Sequence, residues 1–266
     1  MINTLKLKTL SLATATAGLL ATPSAFAADP QPKQLGLPDG ANDLAVMLNA
    51  FHDDILLPLC IAISVFVLVL MIYTCWRFSE KRNPNPSKTS HHTMLEVVWT
   101  VVPVLILGVL FIPSMRVLYA TEKTLDYAFT VKITGNQWYW NYEYPNQDGL
   151  TFDSYMIAEA DLKPGQKRLM DVDNPLVIPE DTPILLQFTS NDVLHNWSVS
   201  EFGIRVDTVP GQLNEAPLYP IHEPGTYYGF CSELCGTLHS YMPITVKVVT
   251  KEEFADWLVT AKTQFS

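Results

Sequence analysis

Two long apolar runs dominate the pattern of hydrophobic and polar positions in the first half of the chain. Residues 55–76 carry no charged side chain, and at about 1.5 Å per residue a helix of this length measures about 33 Å. Residues 97–115 form a second uncharged run of about 28 Å by the same rise. Because the hydrocarbon core of a bilayer is about 30 Å thick, the two runs predict a hairpin of two transmembrane helices over residues 51–118.

The segment between the apolar runs, about residues 77–94, is basic. It contains a single acidic residue, Glu80, against four basic ones: Arg77, Lys81, Arg82 and Lys88. Short loops rich in lysine and arginine remain on the cytoplasmic side of a membrane. We therefore expect this loop in the cytoplasm, with residues 28–50 and residues 119–266 on the exported side.

The amino terminus has the features of a secretory signal peptide. Lys6 and Lys8 precede a short apolar run, and Ala25-Phe26-Ala27 then supplies the small-x-small pattern that signal peptidase cleaves. We predict a signal peptide over residues 1–27. A membrane anchor is the alternative, but the apolar run is too short to span a bilayer. The signal peptide and the basic loop predict the same orientation of the chain.

In the exported part, the sequence pattern changes to short β-rich runs. FTVKIT, QWYWNYEY, PILLQFTS and PITVKVV are separated by turn-forming segments such as PNQDG and PEDTP, which predicts a β-sandwich or small barrel. The last segment, TKEEFADWLVTAK, places Thr250 and Glu253 in capping-box register and repeats apolar residues at helical spacing. The expected fold class is membrane-anchored and mainly β, with a short C-terminal helix.

The net charge of −10 comes from the exported part of the chain. From Thr121 onward there are 20 acidic and 9 basic side chains. A surface whose charges are mostly of one sign attracts partners of the opposite charge and raises their association rate. We therefore expect a basic soluble partner and no binding to nucleic acid.

Two cysteines, a histidine and a methionine lie close together in FCSELCGTLHSYMP, residues 230–243. The spacing of these four residues would also align them on one face of a helix: Cys231, Cys235, His239 and Met242. Glycines and prolines punctuate the segment and strand-like sequences flank it, so a loop between two strands is favoured. Thiolate and thioether ligands select copper, so the segment is a candidate copper site. In an oxidising compartment the alternative is a Cys231–Cys235 disulfide.

His195 is the candidate for a further ligand. It lies in TSNDVLHNWSV, where a strand gives way to a loop upstream of the cysteines. In small copper-binding sandwiches one histidine commonly comes from such an earlier loop. Cys60 and Cys75 lie in the first apolar run and are predicted to be apolar packing residues. The sequence assigns no role to the other histidines: His52, His91, His92 and His222.

Taken together, these residues resemble a known family. The motif C-S-E-L-C-G-x-x-H-S-Y-M-P, with His195 and GNQWYWNYEY upstream and two apolar runs before them, is similar to subunit 2 of bacterial haem–copper cytochrome c oxidases. Thr237 and Leu238 depart from the residues that many members carry there, but neither position binds metal. The resemblance implies a cupredoxin-like domain and a bacterial inner-membrane protein, with its mature termini and its copper domain in the periplasm.

The resemblance also implies a set of metal ligands. Cys231 and Cys235 would bridge the two copper ions of a CuA centre. The other copper ligands would be His195, His239, Met242 and the backbone carbonyl of Glu233. The Glu233 carboxylate would help to bind a magnesium ion shared with subunit 1. A second cysteine favours two metals, since zinc has no redox chemistry and a mononuclear blue-copper site needs only one cysteine.

Three further residues acquire roles from the resemblance. Trp138 would receive electrons from cytochrome c, and Glu143 would help to dock that basic partner. Strand alternation, however, also places Trp138 on one face with other aromatic residues, as in a core: Trp140, Tyr142 and Tyr144. Glu96, near the cytoplasmic end of the second apolar run, would lie at a proton-uptake pathway. A simple interfacial charge is the alternative interpretation of Glu96.

The function implied by the resemblance is that of one component of an enzyme. The chain would take electrons from cytochrome c and pass them to haems in subunit 1, where oxygen is reduced and protons are pumped. Its expected partners are subunits 1 and 3, cytochrome c and membrane lipid. The alternatives are a quinol oxidase subunit, a class that has lost the copper ligands, and a membrane-anchored copper-delivery protein, which usually has a thioredoxin-like βα pattern.

Overall fold

The structure is a computed structural model that describes residues 34–265. The signal peptide predicted for residues 1–27 lies outside the described residues, as does the beginning of the exported segment predicted for residues 28–50. The described part contains a pair of long helices, a β domain and a final helix, in that order. This order confirms the expected fold class.

Two long helices form the hairpin. The elements are α1 (Asp43–Phe51), α2 (Leu57–Arg77) and α3 (Thr93–Thr121). A π-helical turn joins α1 to α2, so that one helix runs over Asp43–Arg77. Both long helices are apolar enough to cross a membrane. Each long helix begins before its predicted apolar run. The side chains of Asn42 and His92 accept hydrogen bonds from backbone N–H groups of the first turns, so each helix starts among polar residues.

The β domain contains two five-stranded sheets. The strands are β1 (Phe129–Asn136), β2 (Tyr139–Tyr144), β3 (Leu150–Ser154), β4 (Leu176–Pro179), β5 (Ile184–Ser190), β6 (His195–Val199), β7 (Ile204–Thr208), β8 (Asn214–Leu218), β9 (Gly225–Cys231) and β10 (Pro243–Val249). Their orders are β3-β2-β1-β5-β8 and β4-β10-β9-β6-β7. Strands β1 and β5 pair in parallel, as do β4 and β10, while the other pairs are antiparallel. This arrangement is a cupredoxin-like sandwich.

The hydrophobic core lies between the two sheets. Trp140, Tyr142 and Tyr144 alternate along β2 and are fully buried, as their spacing predicts. From the opposite sheet, Trp197 of β6 donates its indole N–H to the Tyr142 hydroxyl at 3.4 Å. This bond satisfies a polar group of each aromatic residue inside the core and joins the sheets.

The final helix, α4 (Lys251–Gln264), covers one end of the core. Thr250 and Glu253 form the predicted capping box, in which each side chain accepts a hydrogen bond from the other residue's backbone N–H. Phe254 of this helix stacks on Phe129 of β1, with ring centroids 5.6 Å apart. The predicted amphipathic helix is therefore present, and its apolar face closes the sandwich.

The hairpin is attached to the β domain at two points. The backbone N–H of Ala41 donates to the carbonyl of Glu201 at 2.7 Å, in the turn after β6. The hydroxyl of Tyr219 donates to the carbonyl of Ala120 at 2.9 Å, near the end of α3. These bonds tie the segment before α1 and the end of α3 to the same domain.

Candidate metal centre

The cysteine-rich segment is a loop between two strands, as the sequence predicts. Strand β9 ends at Cys231 and β10 begins at Pro243. Between them, the regular structure is a single 3-10 turn at His239–Tyr241. A continuous helix would have spread the sulfur and nitrogen atoms along its axis, whereas the loop folds them around the two cysteines.

The donor atoms converge on the two cysteine sulfurs. The Sγ atoms of Cys231 and Cys235 lie 3.9 Å apart. Nδ1 of His195 lies 4.0 Å from the Cys231 sulfur, and Nδ1 of His239 lies 3.5 Å from the Cys235 sulfur. Each sulfur therefore has one imidazole beside it, an arrangement suited to two metal ions.

Two weaker donors complete the set. The Sδ atom of Met242 lies 3.5 Å from the sulfur of Cys235. The backbone carbonyl oxygen of Glu233 lies 3.3 Å from the sulfur of Cys231. The side chain of Glu233 is exposed, so its carboxylate is accessible on the outside of the loop. The structure thus brings together all six donors that the sequence singles out.

The centre is buried and rich in sulfur. His195 is 0% exposed, Cys235 3% and Met242 1%. The ligand atoms of His195, Cys231 and Cys235 all lie within 4.8 Å of one another. Over the described residues all four cysteines are free thiols, so both sulfurs are available to a metal. Thiolate, thioether and imidazole donors without a carboxylate fit copper.

Asp192 orients His195. Its Oδ1 atom lies 2.8 Å from Nε2 of the imidazole, which leaves Nδ1 facing the sulfur of Cys231. Its Oδ2 atom accepts the backbone N–H of Gln137 at 2.6 Å, in the turn between β1 and β2. A carboxylate that holds the second nitrogen of a ligand histidine sets the orientation of the ring. Sequence reasoning missed Asp192, although its place three residues before His195 was the available signal.

The surroundings shift the pKa values of the two thiols in opposite directions. Burial raises the pKa of Cys231, but hydrogen bonds with His195 and with the backbone of Asn196 and Glu233 outweigh it and lower the pKa below its ordinary value. For Cys235, burial and the neighbouring Cys231 both raise the pKa. The site therefore favours one thiolate before any metal adds its own charge.

Two residues of the opposite sheet support the candidate ligands His195 and Met242. A Cβ atom on Gly135 would lie 2.8 Å from Cδ2 of His195, so only glycine lets β1 approach the imidazole this closely. The indole N–H of Trp140 donates to the carbonyl of Met242 at 3.2 Å. Both contacts come from β1 and β2, and the sequence pattern identified Trp140 only as a core residue.

Trp138 lies in the turn between β1 and β2, outside the strand face on which the alternative interpretation placed it. Strand β2 starts at Tyr139, so the alternation that buries Trp140 does not extend back to Trp138. The Trp138 side chain is half-buried, and its indole N–H donates to the carbonyl of Cys235 at 3.2 Å. The indole therefore contacts the cysteine loop directly.

The remaining candidates lie outside this centre. Glu143 forms an ion pair with Lys132 on the neighbouring strand, with 3.1 Å between Oε2 and Nζ. Glu96 lies in the first turn of α3, where its carboxylate accepts the backbone N–H of His92 at 3.3 Å. His222 pairs with Asp181 on the surface.

Sequence comparison identifies the family. The family model described as cytochrome c oxidase subunit II, periplasmic domain, matches residues 129–249, and the model of the transmembrane domain of the same subunit matches residues 30–117. The chain belongs to the cytochrome c oxidase subunit II family. This membership confirms the resemblance seen in the sequence, and it favours an oxidase subunit over a copper-delivery protein.

Individual relatives of this subunit II chain agree with that assignment. A probable cytochrome c oxidase subunit 2 from Rickettsia bellii is 43% identical, over 88% of this chain and 86% of the relative. The subunit 2 of Zea mays is 44% identical, over 86% of this chain and 89% of the relative. The crystal structure of the periplasmic domain of subunit II (CoxB) from Bradyrhizobium japonicum is 42% identical, with a TM-score of 0.50, over 54% of this chain and all of that one.

Membership of the subunit II family implies a CuA copper centre, and the buried cluster of one histidine and two cysteines is the place for it. The chain is one subunit of an enzyme complex and is expected to contact other oxidase subunits. The two apolar helices and the periplasmic-domain homologue indicate a membrane-anchored protein.

Proposed function

We propose that this chain is the subunit through which cytochrome c delivers electrons to the oxidase, and that its copper ligands are the six donors described above. The observation that carries the proposal is the convergence of His195, Cys231 and Cys235, whose ligand atoms all lie within 4.8 Å of one another. When bound there, two copper ions would take up and release single electrons on the way to haems in subunit 1. Oxygen reduction and proton pumping belong to that partner.

The protein's own residues prepare the site for this work. Complete burial of His195 keeps water away from its imidazole, and the Asp192 carboxylate fixes the direction of Nδ1. The hydrogen bond from Trp140 holds the backbone of Met242 in place. Ligands that are held before metal binding rearrange little when the charge of the metal changes, which suits a one-electron carrier.

Trp138 is the proposed point of electron uptake. It is half-buried, its indole N–H contacts the carbonyl of Cys235, and Cys235 is a proposed copper ligand. Glu143 and the other acidic side chains of the exported part would dock basic cytochrome c. Glu143 is paired with Lys132, whose positive charge offsets part of the charge of the carboxylate. Glu143 therefore adds less than a full negative charge to the surface that would attract cytochrome c.

Exposed apolar side chains around the cysteine loop support contacts with other subunits. Soluble monomers rarely expose large apolar patches without a partner. The exposed residues lie in the loop or within two residues of a proposed ligand: Val193, Leu194, Phe230, Leu234, Leu238 and Tyr241. We assign this surface to the oxidase complex formed with subunits 1 and 3.

Further assignments follow from the same proposal. The exposed carboxylate of Glu233 would bind magnesium at the contact with subunit 1, and Glu96 would serve proton uptake at the cytoplasmic end of α3. The apolar surfaces of α2 and α3 would face lipid and partner helices. The basic loop between them would lie in the cytoplasm of a bacterium, with the copper domain in the periplasm.

Copper stoichiometry tests the proposal. The full-length chain, purified in detergent and loaded with copper, should hold two copper ions and show the spectrum of a delocalised mixed-valence pair. Cys231→Ser should abolish that spectrum, whereas Cys60→Ser, in α2, should leave it intact. One copper ion per chain, or Cu(I) that cannot be cycled, would instead favour copper delivery.

A further inference from the structure

Two adjacent residues of the β1–β2 turn donate to the same carbonyl group of the cysteine loop. The side-chain amide of Gln137 donates to the carbonyl oxygen of Cys235 at 2.8 Å. The indole N–H of Trp138 donates to that oxygen at 3.2 Å. A carbonyl oxygen has two lone pairs and can accept both bonds. Both side chains therefore donate to the carbonyl oxygen of Cys235, a residue whose sulfur is a proposed copper ligand.

The backbone of Gln137 is anchored as well. Its N–H donates to Oδ2 of Asp192 at 2.6 Å, and Oδ1 of the same carboxylate lies 2.8 Å from Nε2 of His195. Through its backbone Gln137 thus contacts Asp192, in the loop between β5 and β6, and through its side chain it contacts the cysteine loop. These contacts connect the β1–β2 turn to two proposed copper ligands, to His195 through Asp192 and to Cys235 directly.

Gly236 allows the turn and the loop to touch. Its φ is +118°, and a Cβ atom there would lie 3.1 Å from Nε2 of Gln137 and 3.1 Å from Cζ2 of Trp138. The amide and the indole therefore both pack against the peptide that follows Cys235. The hydrogen bonds to the carbonyl of Cys235 hold both side chains in this position.

We propose that Gln137 is a positioning residue for electron uptake, which holds the Trp138 indole against the cysteine loop. The inference rests on the proposed function of Trp138. The step that it serves moves one electron from the ferrous haem iron of cytochrome c, which becomes ferric, to the copper centre, which is reduced by one electron. No bond forms or breaks. Gln137 does not carry the electron but limits how far the half-buried indole departs from the carbonyl of Cys235.

Loss of the Gln137 amide is expected to change the rate of electron uptake and not the binding of cytochrome c. Electron transfer between groups that are not bonded slows as they separate, so an indole that moves away from the cysteine loop should pass electrons more slowly. Loss of the amide leaves the indole N–H as the side-chain tether between the turn and the loop. We expect a partial loss of the rate of electron uptake, since one of the two bonds remains.

The test uses the assembled oxidase with its full-length subunit and the variant Gln137→Met, which keeps the length of the side chain but removes the amide donors. The rate of electron uptake from bound cytochrome c should fall. The KM for cytochrome c, the copper spectrum and the reduction potential should be unchanged. Gln137→Ala should behave in the same way, and copper content shows whether each variant has folded.

Two comparisons make the result decisive. Gln147→Met, in the turn between β2 and β3 at the other end of β2, is the matched control and should leave the rate unchanged. If Trp138→Phe slows uptake but both Gln137 variants do not, the inference about Gln137 is wrong and the role of Trp138 stands. If Trp138→Phe leaves uptake unchanged, the role of Trp138 and the inference fall together. A slower rate with an altered copper spectrum would also overturn the inference, because Gln137 would then be acting on the copper site itself.

Discussion

Asp192 holds His195 through a hydrogen bond of 2.8 Å between Oδ1 of the carboxylate and Nε2 of the imidazole. Burial alone raises the pKa of Asp192, but this bond and the backbone N–H groups of Val193 and Gln137 lower it below its ordinary value. The carboxylate therefore remains ionised beside a buried imidazole. This relationship leaves Nδ1 of His195 directed at the sulfur of Cys231, where a metal would bind.

Asp192→Asn should weaken copper binding. The amide cannot supply a charged acceptor to both His195 and Gln137, and partners of this kind typically change metal affinity by about 10- to 100-fold. Competition with a copper chelator, in the full-length chain in detergent, measures the change. Asp161→Asn, at an exposed carboxylate, is the control. Equal affinity of the two variants would show that Asp192 does not position the histidine.

Gly236→Ala should slow electron uptake because the added Cβ presses on Gln137 and Trp138. Its positive φ also makes alanine unfavourable, by about 1 kcal/mol or more in the free energy of unfolding. Gly165→Ala separates the two effects, since Gly165 has a φ of +90° but open space around its Cβ position. Both variants should lose stability in thermal unfolding, and only Gly236→Ala should lose rate. Similar rates in the two would contradict the packing argument.

Lys132 and Glu143 should have opposite effects on cytochrome c binding. The two side chains are about one-third exposed, so their ion pair is worth little in stability but still compensates the carboxylate. At low ionic strength, Glu143→Gln should raise the KM by about two- to threefold and Lys132→Met should lower it. Both changes should shrink near 0.15 M salt, where the Debye length is about 8 Å. A rise in KM for Lys132→Met would refute electrostatic docking at this site.

Glu201 should make the stability of the chain depend on pH. Burial raises its pKa from 4.5 to about 7. The folded chain thus keeps a proton that the unfolded chain has lost, so stability from this group is complete below pH 4.5 and is lost as the pH rises to about 7. The loss is on the order of 3 kcal/mol.

Glu201→Gln should flatten this dependence, because the amide has no proton to lose. Unfolding midpoints of the full-length chain in detergent, measured from about pH 5 to pH 8, test the change. Glu252→Gln, at an exposed residue of α4, should retain the slope of the parent chain. A slope that survives in Glu201→Gln would assign the pH dependence to other groups.

Much of the fold and of the donor set could be predicted from local sequence. The length of the apolar runs predicted α2 and α3, and alternation predicted the burial of Trp140, Tyr142 and Tyr144. The register of Thr250 and Glu253 predicted the start of α4. Each of these features depends on residues that are neighbours in the chain, where backbone geometry sets the spacing.

Positions that depend on the packing of one sheet against the other could not be predicted in this way. Alternation carried Trp138 onto the face of β2, but the chain turns there and the indole reaches the cysteine loop instead. The sequence signal for Asp192 was its place three residues before His195, and Gln137 showed no pattern of its own. Their importance comes from bonds to His195 and Cys235, and Gln137 and Cys235 are 98 residues apart.

The sequence by itself determined which chemistry was available: two thiols, two imidazoles and a thioether in a β-rich domain that follows two long apolar helices. Donor types and helix lengths are properties of the residues and of short stretches of chain, so they are visible without a fold. Only the tertiary structure decided that His195 meets Cys231, that Asp192 turns the imidazole, and that the turn before β2 touches the cysteine loop. Those contacts exist because the two sheets pack face to face, which brings distant segments within hydrogen-bond distance of one another.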